Sequence, residues 1–222
     1  MPGHPLLLGH RGTRVSDAVG ENTLAAFDLA LRLGCDGFEF DVRRTACGRA
    51  VICHDEKAEG IRVAAASCGQ LESLPCLEDV LSRYAASAFL DIELKVPGLE
   101  SDVLLALREH PPERGYVVSS FLPEVLLELR VRSAEVALGF ICDRKETVDR
   151  WQELPVEYVI PKHALITSKL VQAVHRADKT MLTWTVNEKK TMLRLAGWGV
   201  DGVISDDPQL LVQTFPGGAS GR

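Results

Sequence analysis

Short apolar stretches alternate with amphipathic helical stretches along the 222 residues. That alternation predicts an α/β chain closed into a single-domain TIM (β/α)8 barrel. Strict strand-helix alternation implies a parallel sheet, because parallel neighbours need a crossover connection between them. Eight such units with short connections match the repeat number at which a parallel sheet closes on itself. The length suits one barrel, and with 46% hydrophobic residues the chain can bury a sizeable core. An open doubly wound sheet is the weaker alternative. Gly9-His10-Arg11-Gly12 after the first strand is too short for the G-x-G-x-x-G turn of dinucleotide-binding sheets.

The elements follow in order. Residues 6–9 form a buried-strand run, and 22–33 a helix with Leu24, Phe27, Ala30 and Leu31 on one face. Asn22 or Thr23 can cap that helix and Gly34 stop it. The second strand is Gly37-Phe38-Glu39-Phe40-Asp41-Val42-Arg43, and 50–53 is its continuation or a hairpin partner across the Gly48 turn. Leu77, Val80, Leu81 and Tyr84 space a helix over 77–84, and 88–95 is the third strand. Residues 116–119 are the fourth strand, with a helix over 124–131 behind Pro123. The fifth strand, 136–141, is followed by a helix through Val148 and Trp151. The sixth, 157–160, precedes a helix over 168–176, and the seventh, 180–186, a helix over 188–196. The eighth strand is 202–205, and Pro208 opens a last short helix. The barrel is expected to occupy 1–215, with a short insertion at about 55–76, and the Gly- and Ser-rich 216–222 to be a flexible tail.

Composition narrows the partners. A net charge of -6 lacks the basic stripe of nucleic-acid binders. No run of 18 apolar residues provides an integral membrane segment. Residues 1–10 have no basic region followed by a long apolar stretch, so they do not read as a signal peptide. Six cysteines, Cys35, Cys47, Cys53, Cys68, Cys76 and Cys142, lack any C-x-x-C spacing. They read as reduced thiols of a cytoplasmic protein. Oligomeric state is left open.

The polar residues that carry chemistry fall at strand ends, where a barrel has its active site. Side chains on a strand alternate between faces, so Phe38, Phe40 and Val42 share one side, and Glu39 and Asp41 the other. Two carboxylates that close repel unless a cation lies between them or one is protonated. The third strand repeats the pattern: Leu90, Ile92 and Leu94 face the helices, while Asp91, Glu93 and Lys95 face inward. Glu39, Asp41 and Glu93, three carboxylates without a thiolate, suit one divalent cation, Mg²⁺ or Ca²⁺. Arg11 and Lys95 add the fixed positive charge that a phosphate needs as its oxygens gain charge in displacement. His10 and His54, from adjacent elements, can take and give the protons. Trp184 is either a pocket wall or core packing, and His163 an ordinary polar loop residue.

Together these residues resemble the glycerophosphodiester phosphodiesterase family. The likeness runs over nearly the whole chain, through His10-Arg11-Gly12, Glu21-Asn22-Thr23, Glu39-Phe40-Asp41-Val42, His54-Asp55, Glu93-Leu94-Lys95, Trp184-Thr185-Val186-Asn187 and 199–208. Each motif is short, but seven in this order are specific. The resemblance implies a metal-dependent barrel enzyme that cleaves a glycerophosphodiester to glycerol 3-phosphate and an alcohol. It implies Glu39, Asp41 and Glu93 as metal ligands, His10 and His54 as acid and base, and Arg11 and Lys95 on the phosphate. The segment from Glu56 to Cys76 is shorter than the family's usual insertion. That shortening brings in a lysophospholipase D activity on larger lipid diesters as an alternative. A non-catalytic phosphate-binding module is the alternative from another class, and the paired histidines argue against it.

Overall fold

The computed structural model describes residues 4–15, 18–67 and 69–216. Eight parallel strands close into a barrel: β1 (Leu6–Gly9), β2 (Gly37–Arg44), β6 (Phe89–Leu94), β7 (Tyr116–Ser120), β8 (Leu138–Cys142), β9 (Tyr158–Pro161), β10 (Thr180–Thr183) and β11 (Gly202–Ser205). Closure comes from β1, which pairs with β11 on one side and β2 on the other. Between β2 and β6 lie three short strands. β3 (Ala50–Ile52) pairs antiparallel with β2, and β4 (Lys57–Ala58) pairs antiparallel with β5 (Ile61–Arg62). Thus 50–53 is a hairpin partner and not a continuation.

The crossovers pack outside the barrel as α1 (Leu24–Leu33), α2 (Leu77–Tyr84), α3 (Glu100–Glu109), α4 (Pro123–Arg132), α5 (Ser168–Arg176) and α6 (Lys189–Gly197), with α7 (Pro208–Thr214) after β11. Thr23 is the cap of α1, its side chain accepting from the Ala26 amide at 3.2 Å, and Gly34 ends the helix in the left-handed conformation.

Four expectations need correction. The helix α3 goes unread in the sequence. Val103, Ala106 and Leu107 are its buried face, but Leu105 interrupts the period and stays 51% exposed. The crossover through Val148 and Trp151 is a 3-10 helix, Val148–Glu153. Residues three apart superimpose in that tighter winding, so the same spacing fits it. Strand seven stops at Thr183, three residues short, and Trp184 makes only an isolated bridge to Lys162. Finally, not all cysteines are reduced. Cys35, Cys53, Cys76 and Cys142 are free, but Cys47 is disulfide-bonded. That bond has no C-x-x-C signature in the sequence, so the thiol argument for a cytoplasmic location falls. No helix among the described residues is long and apolar enough to cross a membrane. Of the tail expected at 216–222, all but Pro216 lies outside the described residues.

The site depends on how β2 is held. Phe38, Phe40 and Val42 are fully buried on its outer face. Phe38 stacks on Phe27 of α1 with centroids 4.2 Å apart, and Tyr84 of α2 meets Phe38 edge-on at 5.1 Å. The Tyr84 hydroxyl then bonds the Leu24 carbonyl at 2.9 Å and Asp28 at 2.8 Å, tying α2 to α1. Each such buried side chain contributes about 1.5–3 kcal/mol of apolar transfer. With that face fixed, Glu39 and Asp41 can only point into the barrel. The β2–β6 register places Glu39 beside Asp91 and Asp41 beside Glu93.

Candidate active site

Four carboxylates enter one enclosed space: Glu39, Asp41, Asp91 and Glu93 are each at most 7% exposed. Ligand atoms of Glu39, Asp41 and Glu93 lie within 4.8 Å of one another. Among the described residues, two lysine or arginine cations face them. Lys95 Nζ lies 2.7 Å from Glu93 Oε1 and 3.2 Å from Asp41 Oδ1, and Arg11 Nε lies 3.1 Å from Asp41 Oδ2. Asn22 supports Asp41 from the side, donating to Oδ2 at 2.8 Å and accepting from the Asp41 amide at 3.3 Å.

The imbalance appears in the protonation of the cluster. Burial pushes Glu39 well above the usual carboxylate range, and Asp41 and Glu93 push it further. Burial and Asp41 likewise raise Glu93 to about 7. Burial raises Asp91 to about 7, although Ser119 Oγ donates to it at 2.5 Å. Burial also works against ionised Asp41, but Lys95, Arg11 and Asn22 outweigh it and hold that carboxyl below the usual range. Glu39 Oε1 is buried without a hydrogen-bond partner among the described residues. An all-oxygen donor set with an excess of negative charge and an orphaned acceptor fits a hard divalent cation.

The residues after β1 bring the rest. Arg11 sits in the left-handed region at φ 51, a conformation costly for a side-chain-bearing residue, and its amide donates to Glu39 Oε2 at 3.0 Å. Gly12 follows at φ 79, and a Cβ there would come within 2.6 Å of the Ala26 backbone. The turn therefore needs glycine, and with it aims Arg11 inward. Arg11 Nη1 also donates to Glu21 at 2.6 Å, and Glu21 pairs with Arg14 as well.

His10 Nδ1 lies 2.6 Å from Asp206 Oδ1, and its Nε2 faces Glu39 Oε2 at 3.8 Å. Asp206 is held in turn by Asn187 Nδ2 at 2.6 Å, while its amide donates to Asn187 Oδ1 at 2.9 Å. A carboxylate on Nδ1 keeps the proton there and leaves Nε2 free toward the cluster. His54 stands at the mouth with its side chain 36% exposed, Nδ1 against Asp55 Oδ1 at 2.8 Å. Burial of the ring lowers its pKa, with Lys95 and Arg11 acting the same way against Asp55 and Asp41. Arg43 Nε donates to the His54 carbonyl at 2.8 Å and fixes the backbone there.

These groups share one small cavity of ≈ 110 Å³ lined by His10, Arg11, Glu39, His54, Glu93 and Lys95, with Phe121 and Trp184 on its apolar side. Trp184 meets Phe121 edge-on at 5.4 Å and donates Nε1 to the Ile160 carbonyl at 3.0 Å. All eight residues singled out in the sequence are thus brought together, with Asp41 buried behind the wall. His163 does not line the cavity. The supporting residues Glu21, Asn187 and Asp206 had no assigned role, and Asn22 had one only as a candidate helix cap. Their signal was present in the polar runs 21–23 and 184–187 and at the end of the last strand.

A closed parallel barrel with buried carboxylates, two cations and two histidines at the C-terminal strand ends defines the class: a barrel hydrolase built for a phosphorylated substrate. Family comparison makes the class specific. The glycerophosphoryl diester phosphodiesterase family model matches residues 10–88 and 67–210, and the chain belongs to that family of phosphoric diester hydrolases. A glycerophosphodiester phosphodiesterase of Caldanaerobacter subterraneus is 30% identical over 93% of this chain and 96% of its own length. One from Bacillus altitudinis is 29% identical over 93% and 96%. Among solved structures, an Oleispira antarctica phosphodiesterase in complex with the product sn-glycerol-3-phosphate superimposes with a TM-score of 0.83 at 25% identity, covering 95% of this chain and 96% of that one.

Proposed function

We propose that the protein hydrolyses glycerophosphodiesters to glycerol 3-phosphate and an alcohol, with Glu39, Asp41 and Glu93 holding one divalent cation, Mg²⁺ or Ca²⁺. The supporting observation is the convergence of the buried carboxylate cluster, Arg11, Lys95 and both histidines on a single cavity. When bound, the cation supplies positive charge to the phosphoryl oxygens. Arg11 and Lys95 orient the phosphate and offset the charge that gathers on it in displacement. His10, its Nδ1 occupied by Asp206, presents Nε2 to the reacting oxygens. His54 works from the mouth. One histidine takes a proton from the attacking oxygen and the other gives one to the leaving alcohol. Phe121 and Trp184 close the apolar side and exclude water.

The test is release of sn-glycerol 3-phosphate from glycerophosphocholine with Mg²⁺, with Ca²⁺ and with chelator. Turnover is expected with a divalent cation and is expected to vanish on chelation. Activity surviving full chelation would overturn the metal assignment. His54→Ala is expected to abolish turnover while metal binding persists, and turnover retained in that variant would remove His54 from the chemistry.

A further inference from the structure

A larger hollow of ≈ 700 Å³ is lined in part by residues that follow the site residues directly in the chain. Arg43 and Arg44 follow Asp41 on β2, Glu56 comes two residues after His54, and Val96 and Pro97 follow Lys95. None of these is further than about 10 Å of extended chain from a site residue. Arg62 of β5 closes the outer side.

The charge of this groove is opposite to that of the molecule. The protein carries -6 overall, yet three arginines, Arg43, Arg44 and Arg62, face a single acid, Glu56, in the lining. Among the described residues none of the three pairs with a carboxylate, whereas Arg11, Arg14, Arg83, Arg130 and Arg132 all do. Arg43 spends its Nε on the His54 carbonyl, while Arg44 and Arg62 are exposed. With a Debye length near 8 Å at physiological salt, the groove rather than the distant acidic surface sets the local field. Planar guanidinium groups are suited to bidentate capture of phosphate.

We propose that this groove receives the leaving alcohol and favours diesters whose alcohol carries a second phosphate, held by Arg44 and Arg62. The inference rests on the phosphodiesterase reading above and adds a substrate class to it. The reaction is unchanged: water oxygen joins phosphorus, the bond from phosphorus to the alcohol oxygen breaks, and the alcohol departs with a proton. The phosphorylated alcohol leaves through the side of the mouth that His54 occupies.

Two substrates that differ only in that phosphate decide it: glycerophosphoinositol and glycerophosphoinositol 4-phosphate, compared by kcat/KM at low salt. The phosphorylated diester is expected to be preferred about tenfold, the yield of two exposed charge contacts. The preference is expected to shrink at 1 M salt, where the Debye length is about 3 Å. In Arg44→Ala/Arg62→Ala the preference should disappear while the rate on glycerophosphoinositol is kept, and in Arg62→Glu it should fall below one. Hydrolysis of both diesters at equal rates by the wild type, or a preference that survives in the double variant, overturns the groove assignment alone. Absence of hydrolysis on these diesters and on glycerophosphocholine overturns the phosphodiesterase reading, and the inference with it. Sedimentation with phosphatidylglycerol vesicles separates a lipid-surface role: arginine-dependent binding there without a preference between the soluble diesters also counts against the proposal.

Discussion

His10 Nδ1 and Asp206 Oδ1 lie 2.6 Å apart although 196 positions separate them in the chain. Barrel closure between β1 and β11 makes the contact, since the two residues follow directly on these paired strands. Asp206 touches no reacting atom, so it is a positioning residue. Asp206→Asn is expected to lower kcat by about 100-fold with KM little changed, the scale of one misaligned proton-transfer group. Asp206→Glu should recover part of that rate, and the pH profile of kcat should shift in Asp206→Asn. An unchanged profile together with full activity would remove Asp206 from the mechanism.

Glu39 separates metal binding from folding. In the metal-free protein burial, together with Asp41 and Glu93, pushes its carboxyl well above the usual carboxylate range and so favours the neutral form. Glu39→Gln mimics that neutral form. The variant should melt at or above the wild-type temperature in chelator, yet lose the rise that saturating Mg²⁺ or Ca²⁺ gives the wild type. That rise corresponds to about 2.7 kcal/mol at a ligand concentration of 100 Kd. Thermal unfolding with and without cation measures both.

Cation binding is coupled to proton release. Glu93 titrates at about 7 without metal and Glu39 is raised as well, while a bound cation needs both ionised. Above about 7 Glu93 is already charged, and its ionisation no longer makes affinity depend on pH. As pH falls through 7, protons compete, and affinity should drop about tenfold per pH unit for each proton displaced. Titration calorimetry in two buffers of different ionisation enthalpy reads the proton count. Equal heats in both buffers at pH 6.5 would contradict the coupling.

Substrate size is set by the surface around the mouth. Among the described residues, four of the five exposed large apolar ones, Leu105, Leu127, Val131 and Leu193, lie on the outer helices α3, α4 and α6, and the fifth, Val15, stands alone on the loop after β1. No apolar track leads an acyl chain from the site among these. Choline release from glycerophosphocholine should therefore exceed that from lysophosphatidylcholine by roughly tenfold or more, since an acyl chain drawn out of its micelle and left unburied forfeits apolar transfer energy. The reverse order would favour lysophospholipase D activity.

The floor of the site was legible in the sequence because strand alternation is local. A two-residue period places Glu39 with Asp41, and Glu93 with Lys95, without reference to the rest of the chain. Both histidines and Arg11 followed from their places at strand ends. What could not be read depends on distant partners. The pairs His10–Asp206 and Arg11–Glu21 and the Asn22–Asp41 clamp need the closed barrel to bring their elements together. The Cys47 disulfide escaped because it has no C-x-x-C signature, and the 3-10 crossover at Val148–Glu153 because its spacing serves two kinds of helix.

The lip between β3 and α2 packs on its own small cluster. Val51, Val63, Ala66 and Leu71 form it apart from the barrel's main core, with Cys53, Ala58, Ile61 and Leu74 around its edge. Because little of the barrel's stability passes through that cluster, the lip is an interchangeable part. Grafting a longer insertion between Cys53 and Cys76 should leave the barrel folded and the chemistry running, while changing which alcohols reach it. In this architecture new specificity can evolve without rebuilding the catalyst.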